Sequence, residues 1–312
     1  MIGAAVAVLA ALLAATGTGL ADLYETAGRD LIHRLTGSQQ ALYYTGMAIV
    51  LVMPAVVGVF WGAPLVAREL EAGTHRLAWN QSVTRARWLT CKLGLTGLVA
   101  VTAAGLTSLA VTWWSSPIDE ALDGGGADVG LNFLPRIDPV TFGARGVVPL
   151  GYAAFALLLG VTLGMVVRRT VPAMAATLAI LTAVQIAMPL WVRPHLAQPV
   201  SITVAFTAHT MANLGLDSVS QVDIGTPGAW VIAEQTLDAS GQPAAHLPAA
   251  YDDCDSPRDC LAALAQAGYH QRITYQPAGN FWTLQWAEVG IYLVLAAVLG
   301  LFCFWWIRRR PT

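Results

Sequence analysis

One lysine, Lys92, stands among sixteen arginines in this 312-residue sequence. A phosphate-binding P-loop needs G-x-x-x-x-G-K-[ST], whose lysine reaches the terminal phosphates of a bound nucleotide. Lys92 is flanked by Cys91 and Leu93, so the chain carries no Walker-type ATPase site of its own. The G-x-S-x-G elbow, the H-E-x-x-H helix and the C-x-x-C pair are missing as well. Histidines 33, 75, 195, 209, 246 and 270 are dispersed, with no two at the spacing of helical metal ligands. His195 and His209 could meet in a folded segment, but they read as surface or hydrogen-bonded side chains. No catalytic residue, cofactor-binding residue or metal ligand is therefore expected in this chain.

Two other groups of residues have chemical potential. Cys254 and Cys260 lie six apart in Asp-Asp-Cys-Asp-Ser-Pro-Arg-Asp-Cys; on an oxidising side of a membrane they would form a disulfide, and otherwise they are free thiols on a loop. The segment 67–92 holds Arg68, Glu69, Glu71, Arg76, Arg85, Arg87 and Lys92 together with Trp79 and Trp88. Val66, Leu70, Gly73 and Leu77 fall at helical spacing and form one apolar stripe. Glu69 and Arg76 lie close around that helix, and Arg68 and Glu71 form an i,i+3 pair. Such a segment could lie along a membrane surface with its tryptophans at the interface, or it could be an ordinary basic loop that sets orientation. Asn80-Gln81-Ser82 matches a glycosylation sequon, but it falls in this same basic segment and is discounted.

The elements around these residues are set by hydropathy. Hydrophobic residues make up 56% of the chain and charged residues 12%, with a mean hydropathy of +0.57; soluble domains carry about 25% charged residues. A net charge of −2 excludes a generally basic nucleic-acid binder. Six stretches, about 2–20, 41–66, 93–114, 147–167, 172–192 and 285–306, are long and apolar enough to cross a hydrocarbon core of about 30 Å. Pro54 and Pro189 sit inside two of them, which membrane helices tolerate. The only acid within a proposed span, Glu288, is expected at the interface beside Trp282 and Trp286. The expected fold is an all-α polytopic membrane protein of six helices.

Orientation follows from the basic residues. The short segments 67–92, 168–171 and 307–312 hold ten of the seventeen, and only Glu69 and Glu71 of the nineteen acids. These segments are expected in the cytoplasm, with both termini, in a plasma-membrane protein. The chain opens Met1-Ile2-Gly3 without a basic n-region, which favours a retained first span over a cleaved signal peptide. The organisation read here is residues 1–194 as five spans with their loops, 195–284 as an extracellular cap, and 285–312 as the sixth span and basic tail. Within the cap, 201–207, 231–236 and 273–276 alternate like strands. Residues 257–267 read as a helix with Ser256 at its N-cap and Pro257 at its first position. A small acidic α+β cap follows.

The run Glu69, Glu71, Gly73-Thr74, Ser82-Val83-Thr84-Arg85 and Lys92 resembles the coupling region of type-2 ATP-binding-cassette (ABC) exporter permeases. The text Phe60-Trp61-Gly62-Ala63-Pro64-Leu65-Val66-Ala67-Arg68-Glu69, and the runs 142–146, 168–174 and 191–195, look like an actinobacterial branch of that family. The resemblance covers roughly residues 41–200. Members usually carry a short basic amphipathic segment before the first span, and this sequence departs from them there. The resemblance implies a permease subunit of an ATP-driven exporter, paired with a second permease subunit, identical or not. It further implies two copies of a separate ABC ATP-binding subunit, which would hold ATP and Mg²⁺. The coupling residues would be Arg68, Glu69, Glu71, Gly73, Thr74, Arg76, Arg85, Arg87 and Lys92. An ion-coupled carrier is disfavoured by spans free of central charge and by the lack of an internal repeat. The alternative is a membrane sensor or intramembrane enzyme with an extracellular cap.

Overall fold

The computed structural model describes residues 2–73, 84–124, 133–206, 226–248, 251, 254 and 256–309. Among them, six helices are long and apolar enough to cross a membrane. They are α1 (Ile2–Ala27), α2 (Gly37–Glu71), α3 (Arg85–Asp123), α4 (Val148–Val167), α5 (Thr170–His195) and α7 (Phe281–Arg309). Between α5 and α7 stand β1 (Val200–Ala205), β2 (Trp230–Leu237), α6 (Pro257–Gln266) and β3 (His270–Gln276).

Local chemistry explains where these elements begin. Thr36 and Gln39 form a reciprocal capping box ahead of α2. Thr84 accepts the Arg87 N–H at the start of α3, and Ser256 accepts the Asp259 N–H at the start of α6, so two exposed donors are satisfied. Pro54 and Pro189 each lie at or just before a π-helical turn, Val57–Gly62 in α2 and Met188–Val192 in α5. A proline removes a ladder donor; Pro189 lies inside its wider turn, whereas Pro54 stands three residues before the turn in α2.

The hydropathic spans are shorter than the helices that contain them. α3 has 39 residues, about 58 Å at 1.5 Å per residue, nearly twice the hydrocarbon core. Arg85, Arg87 and Lys92 are thus helical residues of α3 rather than part of a loop, and Asp119 lies within its far end. The helix carrying Glu69 and Glu71 ends at Glu71, and Gly73 follows with φ +71, a conformation that glycine adopts without Cβ strain. The expected apolar stripe therefore stops short of Gly73. Thr74, Arg76, Leu77, Trp79 and the sequon lie outside the described residues.

α4 is the centre of the bundle and packs against α2, α3, α5 and α7. Its core partners Phe155, Ala156 and Leu159 meet Tyr292 of α7 and Leu181 of α5. At one end Val66, Leu89, Met165, Cys303 and Ile307 form a separate cluster drawn from four helices. This end carries the arginine-rich segments and is called the basic end below. The opposite end bears the small domain and is called the cap end.

The cap is a three-stranded antiparallel sheet of order β1-β3-β2, with Ile202 opposite Ile273 and Val231 opposite Tyr275. The alternation of apolar residues in the sequence marks these strands because one face packs inward. Gln276 ties the sheet to the bundle: its Nε2 donates to the Ala197 carbonyl at 2.8 Å, and its Oε1 accepts from Asn280 at 2.7 Å. Trp230 of β2 reaches into the same core as Phe142 and Phe281. Cys254 and Cys260 are disulfide-bonded, with a Cα–Cα separation of 5.2 Å. Cys91 and Cys303 are free. Replacing both bridged cysteines with serine is expected to cost about 2 kcal/mol from the entropy of a short closed loop. Faster limited proteolysis at 249–260, with unchanged thermal unfolding of the helices, would show that the loss is confined to the cap.

Candidate functional site

At the basic end, the acids of α2 are turned toward neighbouring helices. Lys92 of α3 pairs with Glu69, donates to the Leu65 carbonyl at 3.4 Å and stands 4.4 Å from the centre of the Trp88 ring. Both partners are partly exposed, and pairs of this kind contribute at most about 1 kcal/mol. The tie therefore fixes direction more than it adds stability. Glu71 makes a second tie: its Oε2 accepts the Thr170 N–H at 3.1 Å and the Thr170 hydroxyl at 2.7 Å. Thr170 opens α5, whose own N-cap residue Arg169 supplies no side-chain cap. Glu71 thus caps α5 from another helix, satisfying an orphan donor and placing negative charge at the positive end of its dipole.

Of the four residues in these two ties, Glu69, Glu71 and Lys92 were in the predicted set, and Thr170 is the one that sequence reasoning missed. Glu71 takes Thr170 as its partner, not Arg68, so the i,i+3 pairing read from the sequence does not form an ion pair. Arg68 and Arg87 are exposed. A threonine opening a helix after two arginines was the available signal for Thr170, but only a helix arriving from 99 residues away could make use of it.

The cap end holds a buried polar layer. Arg193, at the end of α5, donates through Nε to Glu288 Oε2 at 2.7 Å and through Nη2 to Oε1 at 3.1 Å. Tyr152 of α4 donates to Glu288 Oε1 at 2.6 Å, and Arg193 Nη1 reaches the Pro139 carbonyl at 3.1 Å. Glu288 is 0% exposed, which corrects its expected interfacial placement. The reason is helical phase. Trp282 and Trp286 share one face of α7 and are exposed, whereas Gln285, Glu288 and Tyr292 share another, about a quarter turn or more away, and are buried. That spacing was visible in the sequence and should have paired Glu288 with a basic residue.

A second buried pair joins Asp119 of α3 to Arg145, with Nε 3.1 Å from Oδ2 and the guanidinium 5.0 Å from the centre of the Tyr43 ring. Gly146 follows with φ +65, and a Cβ there would stand 2.7 Å from Gln285 Oε1. The same Gln285 oxygen accepts the N–H groups of Val147 and Val148, and its amide donates to the Phe142 carbonyl. One side chain thereby satisfies the frayed start of α4. Nearby, Asp138 N-caps the turn Pro139–Phe142; burial raises its carboxyl above the usual range, opposed by the N–H groups of Val140 and Thr141.

Among the described residues, no group of three His, Cys, Asp or Glu converges to hold a metal ion. His195 is exposed and bonds the Trp191 carbonyl through Nδ1 at 2.9 Å; His209 lies outside the described residues.

The geometry is that of a helical bundle whose arginine-rich end is laced together by side chains of α2, α3 and α5. No curated protein and no solved structure matches the sequence. A family profile described as "ABC-2 membrane transporter related" matches residues 3–193, which spans α1 to the end of α5 and includes every tie at the basic end. The chain is a multi-pass membrane protein and belongs to the ABC-2 membrane transporter related family.

Proposed function

We propose that this chain is the membrane-spanning permease subunit of an ATP-driven exporter, driven by a separate ABC ATP-binding subunit that docks on the basic end. The observation that carries the reading is the lacing of α2 to α3 and α5 through Glu69–Lys92 and Glu71–Thr170, within the segment matched by the family profile. A push on the end of α2 would pass through these ties into two further spans. The basic end would face the cytoplasm, as the arginine asymmetry favours, and the cap would face outward. ATP and Mg²⁺ would sit in two copies of the partner, since the only lysine here is engaged with Glu69. A second permease subunit would complete the route, and the chain itself would perform no enzymatic step. The coupling residues are Arg68, Glu69, Glu71, Gly73, Thr74, Arg76, Arg85, Arg87 and Lys92, joined by Thr170.

The test is co-expression with the ATP-binding subunit, purification of the complex and measurement of ATP turnover. Turnover should rise when the permease is present. Reversing Glu69 alone, or Lys92 alone, should remove most of that stimulation. Exchanging the two, Glu69→Lys with Lys92→Glu, should restore it, because the tie lies within the chain. Unchanged stimulation in both single variants would sink the reading.

A further inference from the structure

We infer that the docking charges of the basic end are its arginines and not its glutamates, and that the partner surface they fit is an acidic one. This rests on the proposed function and specifies the chemistry of the ATP-binding subunit. Arg68, Arg87, Arg168, Arg169, Arg308 and Arg309 are exposed, and none takes part in the four salt bridges among the described residues. The two acids in the same region are already committed, Glu69 to Lys92 and Glu71 to both donors of Thr170.

The arginines are arranged as an end face. Each lies within four residues of Val66, Leu89, Met165 or Ile307, members of one buried cluster. Four segments of chain therefore deliver their charge to the same end of the bundle. Arg168 is held in a left-handed conformation at φ 59, its N–H bonded to the Gly164 carbonyl. Arg168 and Arg169 thus sit on a fixed tight turn. A partner with a basic groove would meet this field as like charge. A partner that used Glu69 or Glu71 would compete with Lys92 and Thr170 for their charge. An acidic groove meets the field with opposite charge and leaves both ties intact. Single exposed pairs are weak, but a shared field of one sign steers association and makes it dependent on salt.

The experiment places the permease in nanodiscs of phosphatidylcholine alone and adds the ATP-binding subunit with which it co-purifies. Association is measured at about 50 and about 300 mM KCl, a range over which surface charge is increasingly screened. The expected affinity falls about tenfold or more with salt, and by a similar factor in Arg68→Glu/Arg169→Glu. Arg68→Lys/Arg169→Lys should stay near wild type. Glu71→Gln, whose amide oxygen can still accept from Thr170, should dock within about threefold of wild type. Salt-independent docking that survives the arginine reversals but fails in Glu71→Gln would overturn the inference. So would an effect of the reversals seen only when phosphatidylglycerol is added, which would assign the arginines to lipid. If no ATP-binding subunit co-purifies, the proposed function fails instead.

Discussion

Glu288→Ala is expected to be among the most damaging single substitutions in the cap-end half of the bundle. It leaves the Arg193 guanidinium buried, with the Pro139 carbonyl, a weak 3.4 Å contact to Tyr152 and the face of the Phe142 ring in place of two carboxylate bonds. Removing one member of a buried pair costs about 3–5 kcal/mol, because the remaining charge has lost its compensation. Arg193→Ala should cost about as much for the converse reason. The double variant Glu288→Met/Arg193→Met should recover most of the loss, since two apolar groups of similar volume leave no charge behind. Thermal unfolding of the purified protein measures all three. A single variant as stable as wild type, or a double variant no better than the singles, would show that the pair does not brace α4, α5 and α7.

This bracing sharpens how the two ends differ. Two ties at the cap end are buried: Arg193–Glu288 and Arg145–Asp119 are at most 7% exposed on either side, while the third ion pair there, Arg136–Asp123, is 32% and 22% exposed. At the basic end Lys92–Glu69 is 24% and 33% exposed, and the Glu71 carboxylate is exposed as well. Water can replace the ties at the basic end at little cost, whereas the two buried pairs at the cap end have no such substitute. Rearrangement driven by a partner is therefore cheapest at the basic end. At the cap end, Gln276 fastens the sheet to the bundle through the Ala197 carbonyl.

Much of this was legible in the sequence where the signal was local. The six spans follow from apolar length, the three strands from alternation, and α6 from Ser256 followed by Pro257. The Cys254–Cys260 bridge was read from close spacing on one loop together with that loop's expected place on an oxidising side. Helix ends were less legible: Arg85, Arg87 and Lys92 read as loop because their charge ends a hydropathic window, although charge at a helix end does not end the helix. Long-range ties were the least legible. Arg193 and Glu288 are 95 residues apart, and Glu71 and Thr170 are 99 apart. Each looks like an ordinary boundary residue until the bundle brings its partner. The i,i+3,i+7 phase of Gln285, Glu288 and Tyr292 could have located the buried face of α7, but not which arginine would meet it.

The second large effect is expected at the crossing of α2 and α4. There the π-helical turn Val57–Gly62 presses against α4 with no side chains between the backbones. A Cβ on Gly62 would stand 2.6 Å from the Leu157 carbonyl oxygen, and one on Gly160 would stand 2.7 Å from the Ala63 nitrogen. Neither obstacle is the tip of a flexible side chain. Gly160→Val must therefore push two helices apart, and α4 is the helix on which the others are packed. Overpacking of this kind costs about 1–3 kcal/mol where side chains can yield, and the upper end or beyond is expected where backbone must move. Gly97→Ala is the control: its Cβ would meet only Leu157 Cδ2, at an ordinary 3.7 Å. Replacing a helical glycine there should leave stability unchanged or raise it by up to about 1 kcal/mol. Thermal unfolding separates the two outcomes, and Gly160→Val melting with Gly97→Ala would refute the close crossing. The milder Gly62→Ala is the more informative about function. This residue ends the wide turn one position before the stretch that carries Glu69 and Glu71, so a small displacement there moves both carboxylates relative to Lys92 and Thr170. If the turn positions the coupling segment, Gly62→Ala should lose ATPase stimulation out of proportion to its loss of stability.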